Sequence, residues 1–175
     1  MRKLLAYACL LGAILVGIYL IPTLRAPGNR ADVLPAQVKV DSVIDGGNDA
    51  SIMDQLGLTF RLESCGAIVF SLSSETVDRL KAGGLAFLAD ALQARGFADR
   101  SYYRYAGWHE TPVPPNWSGG DGVIAGSLHC ADIYKPLWRR IAVGIGRPGG
   151  FYAEKPEGQL ILLPDEGLAV FTYYG

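Results

Sequence analysis

From Leu4 to Leu24 the chain runs without a charged residue, and no second apolar run of that length follows. About 20 residues, each rising ~1.5 Å, match a hydrocarbon core of about 30 Å. The segment therefore reads as one transmembrane helix. Tyr7 and Tyr19 lie near its ends, where amphipathic rings favour the headgroup region, and Pro22 falls at its exit. A cleaved signal peptide is the rival reading, since Arg2 and Lys3 form a fair basic start. Yet the apolar stretch exceeds the roughly 7–15 residues of such a peptide, and Ile21 to Ala26 offers no small-x-small cleavage site. Cys9 after Ala8 has too short an apolar stretch before it for a lipoprotein site.

Charge supports the same division. Residues 1–30 hold Arg2, Lys3, Arg25 and Arg30 and no acid, so twelve basic residues face 17 acidic ones in the rest of the chain, a formal charge of −5. A mildly acidic body behind a basic, apolar start is expected of a globular domain on a membrane anchor, and such a body would not lie flat on anionic lipid. Flanking charges are nearly matched, Arg2 and Lys3 against Arg25, Arg30 and Lys39. The short tail is placed inside and the long domain outside, periplasmic or extracellular. With 175 residues, half of them apolar, the chain can fill one ordinary core and is too rich in apolar residues for disorder. A net charge of −1 supplies no field for nucleic acid.

Cys9 lies in the apolar run, which leaves Cys65 and Cys130 as the thiols of the body. In an exported domain they are expected to pair, closing a loop that stabilises by about 3–5 kcal/mol. The sharper reading makes one of them a nucleophile with a histidine base. His129 precedes Cys130 and on a strand would point away from it, so His109 would have to serve.

Along the chain, residues 25–36 hold Pro27, Gly28 and Pro35 and read as a linker, with the globular domain over 37–175. Strands are expected over Gln37–Ile44, Thr59–Glu63 and Ala67–Leu72, with a short helix before Leu56. Ser73 or Ser74 starts the clearest helix, whose Val77, Leu80, Leu85, Leu88 and Leu92 form an apolar stripe interrupted by Gly83 and Gly84 and stopped by Gly96. Between Ser101 and Ser127, aromatic residues mix with Pro and Gly, which reads as a long loop, either a binding loop or a lid tucked onto the core. Ile133–Ile141 reads as a helix, Ile141–Ile145 as a strand, Arg147–Gly150 as a turn. Gln159–Leu163 and Leu168–Tyr174 form a hairpin around Pro164–Gly167. The fold expected is α+β: a mostly antiparallel sheet covered on one face by the 74–95 helix, after one N-terminal transmembrane helix.

Site signals are sparse. His109 and Glu110 beside Trp108 can share acid/base work, but two histidines twenty positions apart do not make a helical zinc site. Asp45, Asn48 and Asp49 can hold a weak calcium ion, whereas Gly119–Gly122 reads as a turn. Ser64 and Ser127 lie near the cysteines without a hydrolase motif. Asp165 and Glu166 are expected to face solvent. Arg139 and Arg140 diverge by about 100° on a helix and would need Arg104 or Arg147 to form a clamp. No metal or cofactor is expected.

Three function classes follow. The first is a non-enzymatic envelope domain binding another envelope protein or a cell-wall component, with Tyr102, Tyr103, Tyr105, Trp108 and Trp117 as anchors, because aromatic side chains dominate interface hot spots. The alternative is an anchored hydrolase or transferase using His109, Glu110 or a Cys/His pair. The third is a small-molecule or lipid sensor.

Overall fold

A computed structural model describes residues 30–48, 64–118 and 122–175. The apolar run 4–24, the expected helix before Leu56, the strand 59–63, Asp49 and the Gly119–Asp121 stretch lie outside them. Six strands form one sheet: β1 (Val40–Asn48), β2 (Cys65–Leu72), β3 (His109–Glu110), β4 (Phe151–Lys155), β5 (Gly158–Leu163) and β6 (Leu168–Tyr174). Their order is β1-β2-β6-β5-β4-β3, and every neighbouring pair is antiparallel. The α+β class and the C-terminal hairpin agree with the sequence.

The sheet is covered on both faces rather than one. β5 is buried along its whole length, as its unbroken apolar run requires. Leu160 and Leu162 join Phe70, Ala169 and Phe171 in one cluster, while Ile161 and Leu163 join Val69, Leu168 and Val170 in another. Over the first face lie helix α1 (Ser74–Leu88) and the 91–108 segment. Over the second lie α2 (Pro115–Ser118), α3 (Val123–Cys130) and α4 (Lys135–Ile145). The loop expected over 101–127 thus holds a short helix and the start of a second.

α1 begins where Ser73 caps it, its side chain accepting from the Thr76 amide. It stops earlier than its apolar stripe implied, and Gly84, at φ 51° and ψ −132°, breaks it internally. Ile141–Ile145 is the end of α4, not a strand. Leu137, Ile141 and Ile145 are buried at four-residue spacing, whereas Val143 is 55% exposed, so the helical period outweighs the short alternation. β4 takes the sheet position the 140s had been expected to fill.

The folded body also starts before residue 37. Val33 and Leu34 are buried, Pro35 bridges to Ala94, and Arg95 donates to the carbonyls of Leu34, Pro35 and Val38. The Tyr105 hydroxyl donates to the Val33 carbonyl. The linker expected over 25–36 therefore loses its C-terminal part to the core. On the second face, Cys65 at the start of β2 and Cys130 at the end of α3 are joined by a disulfide with Cα atoms 5.8 Å apart, tying sheet to helix.

Candidate functional site

The aromatic segment divides sharply. Tyr105, Trp108 and Trp117 are core residues. Trp108 donates its indole N–H to the Ala91 carbonyl at 3.0 Å, and Trp117 packs edge-on against Tyr152. Burial raises the Tyr105 phenol far above its ordinary range. All three rings are packed into the core, with the polar atoms of Tyr105 and Trp108 bonded to backbone carbonyls, which is the arrangement of a tucked lid. Tyr103 is half-buried, stacked on Phe97 at 3.8 Å between centroids. Tyr102 alone among the five is exposed, at 39%.

Tyr102 belongs to a cluster whose members come from separate elements of the fold. Phe151, Ala153 and Lys155 alternate along β4 toward the first face, so Lys155 is carried inward at the end of the strand. Its ammonium lies 3.8 Å from the Tyr102 ring centroid, with the Tyr103 and Phe171 rings at 5.6 and 5.7 Å. The negative faces of these rings attract the cation. Burial nevertheless pulls the lysine down to about 8, opposed by the charge of Glu157. Glu157 accepts from the Tyr102 hydroxyl at 2.9 Å, and burial together with that bond pushes the phenol up to about 12. The signal was the F-Y-A-E-K alternation, legible only once β4 is recognised as a strand.

The enzymatic candidates are not assembled. His109 and Glu110 are adjacent and exposed on the two-residue edge strand β3, so their side chains project to opposite faces. The His109 ring rests on Tyr152, centroids 5.3 Å apart. β6, β5 and β4 separate β2 from β3, which puts His109 about 19 Å from the strand of Cys65 at ordinary strand spacing. Cys130 and His129 lie on helix α3 rather than on a strand, and the sulfur is held in the disulfide. Ser127 is buried, donating to the Val123 and Tyr173 carbonyls. Ser64 is exposed.

Charged residues weighed as binding groups are engaged within the fold. Asp45 accepts from the Gly46 and Tyr134 amides, one at each oxygen, and so caps the approach to α4 instead of facing a cation. Arg140 and Arg147 do converge, but on Glu166, which is only 17% exposed and binds both. Asp165 faces solvent and pairs with Lys81 at 2.9 Å, which lowers its carboxyl below the usual range. Arg104 and Arg139 are exposed and complete no clamp on Glu166. Among the described residues no group of three His, Cys, Asp or Glu side chains can hold a metal ion.

Two surfaces remain. At the outer strand β1, which pairs only with β2 among the described residues, Ile44 is 47% exposed and Tyr134 is 68% exposed. The Tyr134 amide donates to Asp45 Oδ2 at 3.0 Å, which fixes Tyr134 beside β1. At one end of the sheet, Arg30, Gly46, Gly47, Asn48, Ile68 and Tyr173 line an open groove of about 320 Å³. Comparison with known protein families, curated proteins and solved structures gives no match to this chain.

Proposed function

We propose that the chain is a single-pass, membrane-anchored domain held on the oxidising side of its membrane, where it captures an extended segment of another envelope protein and catalyses no reaction. The uncharged run 4–24 supports the anchor. The Cys65–Cys130 bond supports the compartment, since disulfides persist outside the reducing cytosol.

The observation that carries the binding reading is β1. Among the described residues it is a nine-residue edge strand, paired only with β2 and with register shifts between Val40 and Ser42 and between Val43 and Asp45, and a strand edge offers backbone donors and acceptors to an incoming chain. Ile44 and Tyr134 flank it as exposed apolar contacts, the kind that give a strand addition its side-chain selectivity. This reading rests the contacts on Ile44 and Tyr134 in place of the aromatic residues of the 101–117 segment.

The test places a photo-crosslinking side chain at Tyr134 in the full chain within its native membrane. One discrete adduct with an envelope protein is expected, and Ile44→Arg should abolish it while leaving the urea midpoint of the domain unchanged. An adduct that survives Ile44→Arg, or none at all, overturns strand capture at this edge.

A further inference from the structure

The position of Arg30 fixes which part of the domain lies nearest the anchor. Arg30 is exposed and lines the groove beside Gly46, Gly47, Asn48, Ile68 and Tyr173. The register places these residues at one end of the sheet: Asn48 opposes Gly66, Cys65 opposes Tyr174, and Tyr173 opposes Gly158. The turn after Lys155 is at the same end, where Glu157 accepts from the Tyr102 hydroxyl and, through its carbonyl, from the Tyr174 amide. The opposite end holds the Pro164–Gly167 turn and the Arg140, Arg147 and Glu166 cluster.

Two lengths decide the orientation. Leu24 and Arg30 are six residues apart, a reach of at most about 20 Å. The eight residues of β2 span about 26 Å. The tether is shorter than the sheet is tall, so the body cannot turn over to present its far end to the bilayer. With inversion excluded, the end of the sheet nearest the anchor is the one carrying Tyr102 and Tyr174, exposed at 39% and 38%. Tyrosine rings are favoured at that depth whatever the lipid charge, because one edge is apolar and the hydroxyl stays wet.

We infer that this end of the sheet rests on the phospholipid headgroups, with Tyr102 and Tyr174 inserted as interfacial rings and Arg30 meeting a lipid phosphate at the mouth of the groove. The inference rests on the anchored reading of residues 4–24. It sets the domain upright, with only one end in contact, so that its −5 formal charge is not spread along the lipid surface. It also leaves the β1 edge parallel to the membrane normal and open to a partner from the side.

The experiment uses the full chain reconstituted in phosphatidylcholine vesicles containing a lipid with a nitroxide on its headgroup. Tyr174→Trp is compared with Asp165→Trp at the far turn, each against the wild-type emission. The added emission of Tyr174→Trp is expected to fall more than two-fold and that of Asp165→Trp to be unchanged. Tyr102→Trp, which leaves the β6 terminus untouched, should repeat the result if Tyr174→Trp disturbs folding. Arg30→Ser should weaken the quenching. Chains that float with the vesicles but show equal quenching at both ends overturn the inference and leave the anchor standing. Chains that fail to float overturn the anchor and the inference with it.

Discussion

Among the described residues Lys155 is the one charged side chain buried in the core. An ammonium drawn into a strand end keeps its charge only against the loss of hydration, and three rings and one carboxylate partly replace the water. Its folded value of about 8 lies below the ordinary 10.5, so between those values the unfolded chain binds more protons and stability rises with pH. The gain is complete above the unfolded value and is lost as pH falls through about 8. Urea melts of wild type and Lys155→Met at pH 7 and 9.5 check this. The wild type should gain on the variant at the higher pH, and an unchanged difference would contradict the burial described. Staying below pH 10 keeps Tyr102 out of the comparison, because its phenol, raised to about 12, acts with the opposite sign. Without β4 recognised as a strand, the F-Y-A-E-K alternation does not distinguish Lys155 from a solvated lysine. The five aromatic candidates were legible as a group, but composition cannot say on which side of a lid a ring sits. Trp108 and Tyr105 are inside because backbone carbonyls of Ala91 and Val33 lie within reach of their polar atoms.

At the scale of elements, α1 illustrates what local pattern settles. Ser73 as cap and the buried Leu80 and Leu88 followed from the sequence. The glycine pair was expected to interrupt the helix, and Gly84 is the one of the two that leaves helical geometry. Its φ and ψ fall where a side chain is strained. Gly84→Ala should therefore destabilise by about 1–3 kcal/mol, the reverse of the usual gain from removing a helical glycine, while Gly83→Ala stays within ~1 kcal/mol of wild type. Equilibrium denaturation of the two variants tests the contrast, and equal effects would place the break elsewhere. The hairpin β5–β6 was legible because its turn chemistry and apolar runs agree. α4 was misjudged beyond Ile141, because a three-residue alternation fits two periods at once and only burial arbitrates. β4 was missed because its inward Lys155 breaks the alternation that marks a half-buried strand.

For the whole molecule, the second layer of helices is what the sequence did not disclose. The unbroken apolar runs of β5 and β6 are the pattern of strands covered on both faces, but which elements supply the second cover becomes visible only when α3 and α4 are seen opposite α1. The disulfide ties that second layer to the sheet across 65 positions. On the loop-entropy scale such a closure is worth about 4 kcal/mol. Replacing Cys65 and Cys130 together by alanine should lower the unfolding free energy by that order, and reductant should reproduce the loss in wild type. A midpoint indifferent to both changes would show that the loop is pinned by packing alone.

The strand order has a consequence for the timing of assembly. β6, last in chain order, sits between β2 and β5, and Val33 near the start of the body is secured by Tyr105, 72 positions later. A chain emerging from its N-terminus thus lacks this central strand until residues 168–174 have been delivered. Distant pairing of this kind is slow to form and leaves strand edges uncovered meanwhile. Folding of the body would therefore follow, rather than accompany, its synthesis, with the β1–β2 pair waiting for the seven residues of β6.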